Sequence, residues 1–281
     1  MDLSADTLVY WAPQQPAKAS AAVPIQRPDA GFTVLRSRWQ RDGAYALLQH
    51  EQGVARIGGV GREHPDALVF LWAARGHCLL LDSGYGYYEV HEAVNQPEAH
   101  NGVLIDGEGS WHVDAFAEDA GMGDDLQWAT ATTSFGGVDW QRSVVLLGES
   151  ALLVVDRLEP NDGQAHDYTL VLHGPSMDFA MEAGLVRWGA GELELQLTML
   201  GAPTGQWSPR AAQHGFTRTL EDHTALDVTV PDSGAITLVT LALAVRDGDD
   251  AIVSDDASAR WSQGSVTADG RLDWRGESWS F

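Results

Sequence analysis

The sequence predicts an all-β protein, built as an antiparallel multi-stranded β-sandwich. Short apolar segments recur along the chain, and turn signals such as Asp162-Gly163 and Asp269-Gly270 separate them. No long amphipathic helical pattern is found, and 44% of the 281 residues are hydrophobic, which is a globular composition. Many short strands with frequent turns favour a sandwich over a fold that alternates strands with helices.

The predicted strands follow one another from residue 32 onwards. The first two are joined by the turn Arg41-Asp42-Gly43. The third is almost wholly apolar, as expected of a strand covered on both faces, and Arg75-Gly76 turns it into the fourth to make a buried hairpin. The predicted strands are 32–35, 45–48, 67–74, 77–81, 102–105, 128–133, 142–147, 151–157, 168–173, 193–197, 225–230 and 236–244.

The chain divides into a lead-in and one β-domain. Residues 1–31 are rich in Ala, Pro and Gln and are expected to form a linker or extended lead-in. The β-domain is expected to cover 32–281, with the more polar stretch 245–281 as peripheral strands. A short helical turn is expected at 116–122.

The net charge of −23 limits the classes of partner. Such an acidic surface should repel nucleic acid and anionic membranes, so neither is expected to bind. An acidic polysaccharide would need a local positive cluster, for which Arg36, Arg38 and Arg41 are candidates unless they are simply solvated. The first residues are not expected to act as a signal peptide, and the sequence contains no apolar run of about 18 residues, the length needed to span a membrane. Cys78 is the only cysteine, so no internal disulfide can form.

Three residues are candidate metal ligands: His64, Asp82 and His100. His64 precedes the predicted buried hairpin and Asp82 follows it, so both should lie at the same end of the hairpin. His100 needs only the following loop to fold back. Two imidazoles and a carboxylate are a ligand set that zinc uses. The spacing alone is a weak signal for a metal and favours side chains that hydrogen-bond the loop backbone. Asp66 is either a partner that orients an imidazole or a turn aspartate.

Several motifs follow one another in a recognisable order. They are Arg36-Ser37, His64-Pro65-Asp66, Asp82-Ser83-Gly84, Ala99-His100-Asn101, Arg142-Ser143-Val144-Val145, Val154-Val155-Asp156-Arg157-Leu158 and His166-Asp167-Tyr168. Together they resemble the C-terminal domain of the heparinase II/III family of bacterial polysaccharide lyases, over roughly 31–175. The His-Pro-Asp, Asp-Ser-Gly and Ala-His-Asn segments are the most specific part of this resemblance.

The resemblance implies a fold, a cofactor and an activity. In that family a β-sandwich follows an α/α toroid, and the segments that match His64, Asp82 and His100 hold a Zn²⁺ ion regarded as structural. Family members cleave acidic polysaccharides or oligosaccharides by β-elimination, with most catalytic groups in the toroid. Nothing in this chain resembles the toroid, so the chain alone is expected to lack much of the catalytic machinery. The intact parent is expected in the cell envelope, in the periplasm or outside the cell.

One position departs from the family pattern. Family members commonly carry His-X-His-X-Asp in the first motif, whereas this chain has Arg62-Glu63-His64-Pro65-Asp66. Arginine keeps its proton and cannot act as a base, but it can bind a uronate carboxylate through two hydrogen bonds. Arg62 therefore takes over charge neutralisation, marks changed or lost chemistry, or is a surface arginine without a role.

Tyrosines that follow the Asp-Ser-Gly motif are further candidates for the substrate cleft. Tyr85, Tyr87 and Tyr88 either line a sugar subsite, with Tyr85 or Tyr88 supplying a phenol, or pack within their loop. The sequence thus leaves two functions open. The chain is the β-domain of a zinc-containing polysaccharide lyase, or it is a non-catalytic carbohydrate-binding or scaffolding domain that retains the zinc site.

Overall fold

A computed structural model confirms the antiparallel all-β sandwich. It describes residues 30–53, 64–84, 86, 89–202, 206–215, 218–249 and 251–281, together with the backbone of Ile25–Arg27. Every strand pairing in these ranges is antiparallel. No helix in the described ranges is long and apolar enough to cross a membrane.

The strands and the short helical segments follow one another along the chain. The strands are β1 (Ile25–Arg27), β2 (Phe32–Arg36), β3 (Tyr45–Gln49), β4 (Phe70–Ala74), β5 (His77–Leu80), β6 (Val103–Ile105), β7 (Ala115–Gly123), β8 (Leu126–Phe135), β9 (Val138–Leu147), β10 (Ala151–Pro160), β11 (His166–His173), β12 (Phe179–Glu182), β13 (Leu185–Ala190), β14 (Leu193–Leu200), β15 (Trp207–His214), β16 (Glu221–Ser233), β17 (Ile236–Val245), β18 (Val253–Ser254), β19 (Ser258–Trp261), β20 (Gly264–Thr267), β21 (Arg271–Trp274) and β22 (Glu277–Ser280). A single-turn helix, α1 (His91–Val94), and a 3-10 turn, Pro97–Ala99, lie between β5 and β6.

The described residues form four sheets. Sheet A has the order β1-β2-β3-β4-β5, and sheet B has the order β15-β16-β11-β6. Sheet C is the largest, with the order β12-β13-β14-β17-β10-β9-β8-β7. Sheet D consists of β18 to β22 in chain order. Sheet D forms within the polar stretch predicted to hold peripheral strands.

Sheet C lies at the centre and is buried on both faces. Leu152 and Val154 of β10 belong to a core that they share with sheets A and B. Leu153 and Val155, one residue further along in each case, belong to a second core shared with sheet D. Because successive side chains of a strand point to opposite faces, a strand between two cores must be apolar at nearly every position. The continuous apolar run of β10 is therefore explained by its central place.

Two sequence predictions of local structure need correction. The expected helical turn at 116–122 is wrong, because those residues belong to β7, which pairs with β8 and carries a bulge between Ala117 and Asp119. β7 is the outer strand of sheet C, so its apolar pattern is weak and the ladder to β8 decides its conformation. The expected strand at 67–74 begins only at Phe70. Leu68 has a φ of 56°, which belongs to a turn.

The predicted lead-in at 1–31 contains part of the sheet. β1 pairs with β2 in the register Ile25↔Val34, so the antiparallel pairing begins before residue 32. Residues 1–24, 28 and 29 of the lead-in lie outside the described residues.

Candidate functional site

His64, Asp82 and His100 converge at one end of the β4–β5 hairpin. Trp72 pairs with Leu80 across the hairpin, so the segment before β4 and the segment after β5 leave it side by side. The loop that holds α1 and the 3-10 turn then returns His100 to the same place. The ring centroids of His64 and His100 are 5.2 Å apart. Nδ1 of His100 lies 2.6 Å from Oδ1 of Asp82.

Burial and mutual charge set the protonation of the cluster. Burial, supported by the neighbouring His100, lowers the pKa of His64 to about 4, so its imidazole is neutral near pH 7. Burial acts against the charged form of His100 as well. The charge of Asp82 and its hydrogen bond, with a smaller contribution from Asp66, outweigh that effect and raise the pKa of His100. Burial raises the pKa of Asp66 to about 6, against an opposing effect of His100.

His91 is a member of the cluster that sequence reasoning missed. Its ring lies edge-on to His64, with centroids 5.5 Å apart, and its Nε2 is 3.1 Å from the side-chain amide nitrogen of Asn95. His91 begins α1, within the loop that returns to His100. Because that loop must close on the hairpin end, any histidine near its middle is a candidate for the same cluster. This placement was the available signal, since His91 stands in none of the family motifs.

Asn101 ties three strands together beside His100. Its side-chain nitrogen donates to the carbonyl oxygens of Phe70 at 2.9 Å and of Leu81 at 2.5 Å. Its side-chain oxygen accepts from the backbone N–H of His173 at 2.7 Å. One buried amide therefore fixes the start of β4, the residue after β5 and the end of β11 relative to one another.

A buried ion pair on sheet C contacts the loops that carry His64 and His100. Arg142 and Asp156 are both fully buried, on neighbouring strands β9 and β10. Nε and Nη2 of Arg142 donate to the two oxygens of Asp156 at 2.7 and 3.0 Å. Nη1 of Arg142 donates to the carbonyl oxygens of Leu68 and Asn101, at 2.8 and 2.7 Å. The guanidinium thus reaches both the loop after His64 and the residue after His100, which gives a structural role to two of the sequence motifs.

The donor groups fit zinc in kind, although they do not form a complete ligand set. Among the described residues, no group of three or more His, Cys, Asp and Glu side chains has the arrangement of a metal site. Asp82 lies against Nδ1 of His100, which is the place of a carboxylate that orients a metal-binding imidazole. Nε2 of His100 is buried and has no hydrogen-bond partner in the described part of the chain. A buried imidazole nitrogen without a partner, beside a second neutral imidazole, is donor chemistry that zinc accepts.

The predicted cleft residues cannot be placed. Arg62, Tyr85, Tyr87 and Tyr88 lie outside the described residues. The candidate arginine patch is partly neutralised by the protein itself, because Arg38 pairs with Asp42 and Glu149. The guanidinium of Arg36 lies over the rings of Trp39 and Tyr45, at 4.7 and 5.0 Å from their centroids.

Comparisons with known proteins agree with the architecture. A family model described as "Heparinase II/III-like, C-terminal" matches residues 22–258. The solved structure titled heparinase III, BT4657 gene product, superposes with a TM-score of 0.75 at 15% identity, over 93% of this chain and 42% of that one. Heparan sulfate lyase HepC from Pedobacter heparinus gives 0.73 at 16% identity, over 92% and 42%. A search of curated proteins found no match. The chain therefore spans less than half the length of these solved structures.

Proposed function

The chain belongs to the heparinase II/III-like family, as a form of its C-terminal domain, and on that basis we propose that it is the zinc-holding β-domain of a polysaccharide lyase. The single observation that carries this proposal is the convergence of His64, Asp82 and His100, three residues distant in the chain, at one hairpin end. The proposed substrate is a uronate-containing polysaccharide, and the intact protein is proposed to act in the cell envelope or outside the cell.

In this proposal His64 and His100 would bind the zinc, Asp82 would hold the His100 ring in place through its Nδ1–H, and His91 lies close by. When bound, a zinc ion there would brace the loop before β4 against the loop after α1. The hydrogen bond from His100 to Asp82 keeps the His100 proton on Nδ1 and leaves Nε2 available. Neutral His64 suits the same role, because a metal ligand must be deprotonated.

β-Elimination requires a base that removes the proton beside the uronate carboxylate and donors that neutralise that carboxylate. Arg62 is proposed to bind the carboxylate through its two-pronged guanidinium. Tyr85 and Tyr88 are proposed to line the sugar subsite or to supply a phenol. The remaining catalytic groups are proposed to come from an α/α toroid domain, as the family resemblance implies.

Metal analysis tests the zinc proposal. We expect about one zinc per chain in the wild-type protein and its loss in His64→Ala and His100→Ala, since a structural site depends on each ligand. His112→Asn is the matched control, because His112 is an exposed histidine with a φ of 56°, a conformation that Asn tolerates. Full zinc content in both ligand variants would show that the ligands are wrong.

Product formation tests the lyase proposal. Heparan sulfate is the first probe, since one structural relative is titled a heparan sulfate lyase. β-Elimination leaves an unsaturated sugar whose ultraviolet absorbance can be followed. We expect product from the full-length protein, a lower rate in its Arg62→Ala variant, and none from the β-domain by itself.

Arg62 also favours a second candidate function. Because arginine replaces the family's histidine and cannot accept a proton, the domain would bind or scaffold carbohydrate without turning it over. Under this alternative the full-length protein binds heparan sulfate and retains zinc but gives no unsaturated product.

A further inference from the structure

Three histidines outside the candidate metal site form a hydrogen-bonded column through sheet B. His173 ends β11, His223 lies on β16 and His214 ends β15. Nδ1 of His173 is 2.7 Å from Nε2 of His223, and Nδ1 of His223 is 3.2 Å from Nδ1 of His214. His173 and His223 are fully buried, whereas His214 is partly exposed.

The inner end of the column fixes the protonation of all three rings. Nε2 of His173 is 3.0 Å from the carbonyl oxygen of Glu98, which can only accept, so Nε2 carries the proton. Burial lowers the pKa of His173 well below its ordinary value and, with His214, lowers that of His223 to about 4, so both rings are neutral near pH 7. Nδ1 of His173 must then accept from Nε2–H of His223.

The same reasoning extends to the surface. With its proton on Nε2, His223 offers only a lone pair at Nδ1, so His214 must donate from Nδ1–H. Burial lowers the pKa of His214 as well, so this ring is also neutral near pH 7, and its remaining lone pair is on Nε2, 3.9 Å from a carboxylate oxygen of Glu221. Every donor in the column therefore points inwards, from His214 through His223 and His173 to the Glu98 carbonyl.

That carbonyl belongs to the turn that carries His100. Glu98 lies within the 3-10 turn Pro97–Ala99, directly before His100. Nη2 of Arg210 donates to the same oxygen, while Nε of Arg210 is held by Asp227 at 2.8 and 3.0 Å. Two donors from sheet B thus hold one backbone oxygen, two residues before a proposed metal ligand.

We propose that His173, His223 and His214 form a one-directional chain of neutral imidazoles that positions the His100 loop through the Glu98 carbonyl. His173 is a positioning residue in this account, since it acts on the site only through the backbone. The zinc-binding measurement below rests on the proposed function, but the hydrogen-bonded column of histidines does not.

Nitrogen-15 NMR of the histidine rings in the wild-type protein near pH 7 tests the proton positions in the histidine column directly. We expect the proton on Nε2 in His173 and His223 and on Nδ1 in His214. A proton on Nδ1 of His173, or an imidazolium at His173 or His223, would overturn the proposal. This measurement requires no variant and no metal.

Two variants of His173 test the positioning role. His173→Phe fills the space but removes the donor to Glu98, whereas His173→Gln retains an N–H that can reach that carbonyl. We expect His173→Phe to shift the Nδ1–H proton resonance of the His100–Asp82 hydrogen bond and to weaken zinc binding about tenfold, as loss of an outer hydrogen-bond partner typically does. His173→Gln should restore both.

The outcomes separate the two proposals. If the wild-type protein binds no zinc, the proposed function fails, while the ring protonation and the His100 resonance still decide the positioning role. An unchanged His100 resonance in folded His173→Phe would contradict that role. If His173→Phe does not fold, the wild-type spectrum and the His173→Gln resonance decide instead.

Discussion

Arg142 and Asp156 form the buried ion pair that reaches both loops of the candidate site. Removing one partner leaves an uncompensated buried charge, so we expect Arg142→Met to lower the free energy of unfolding by about 3–5 kcal/mol. Denaturant unfolding of the metal-free protein measures this. Arg38→Met is the control, since Arg38 pairs with Asp42 and Glu149 at the surface. Such exposed pairs contribute about 0–1 kcal/mol.

The double variant Arg142→Met/Asp156→Leu sharpens the same prediction. It removes both charges at once, so it should recover part of the stability that Arg142→Met loses. The double variant loses the support of the Leu68 and Asn101 carbonyls as well. A double variant as unstable as the single one would show that those two contacts, and not the unpaired Asp156 charge, account for the loss.

His64 and His223, whose pKa values are lowered, make the free energy of unfolding of the metal-free protein fall in acid. The folded-state pKa values of His64 and His223 are about 4, below the ordinary 6.5. Between pH 6.5 and 4 these two side chains therefore bind protons in the unfolded chain but not in the folded protein. As the pH falls from 6.5 to 4, each of these two histidines lowers the free energy of unfolding by up to about 3 kcal/mol. We expect the free energy of unfolding to fall as the pH is lowered from 6.5 to 4.

Asp66 acts in the opposite direction and provides a check. Its folded-state pKa is raised to about 6 from 3.8, so it stabilises the folded protein at low pH and loses that contribution as the pH rises through this range. Asp66→Asn should therefore make the loss of stability in acid steeper, as measured by urea unfolding at several pH values. A shallower loss would contradict the raised pKa.

At the scale of the elements, the site loop and the β15–β16 hairpin approach each other closely. Gly84 has a φ of 78°, and a Cβ there would lie 2.8 Å from the carbonyl oxygen of Gly215. Gly76, at a φ of 85°, has open space around the same position. Both Ala variants incur about 1–2 kcal/mol of backbone strain. Gly84→Ala should lower the melting temperature more than Gly76→Ala does, and equal losses would mean that the contact is not tight.

The local elements show where sequence patterns are sufficient. β9 and β10 lie between two cores, and their long apolar runs agree with the strands predicted at 142–147 and 151–157. β12, β15 and the edge strand β7 were missed or misassigned, because exposed strands keep no such pattern and form through pairing with neighbours.

The candidate site shows the same division. The hairpin argument brought His64, Asp82 and His100 to one place, since it needed only the order of the strands. The place of His91 in the middle of the returning loop was an available signal. The contacts of the Arg142–Asp156 pair with that loop depend on how the sheets and loops pack, which no local pattern encodes.

For the whole molecule, sheet D completes a second core on the outer face of sheet C. Trp274 is 2% exposed and packs in that core with residues of β10 and β17. Trp274→Ala should lower the free energy of unfolding by about 3–5 kcal/mol, because it leaves a large cavity. Trp111→Ala is the control, since Trp111 is 38% exposed. A small loss in Trp274→Ala would mean that sheet D is dispensable for stability.

Folding protects the Asn101 side chain from a chemical conversion to which the unfolded chain is open. Asn101 is followed by Gly102, the pairing in which an asparagine side chain is most readily attacked by the next backbone nitrogen and converted to aspartate. In the folded protein that nitrogen donates to the His100 carbonyl, and the amide is held by three strands. Once converted during an unfolding episode, the new carboxylate would face the carbonyl oxygens of Phe70 and Leu81. Stored protein should therefore accumulate this conversion only in molecules that have unfolded, and those molecules should not refold to the native structure.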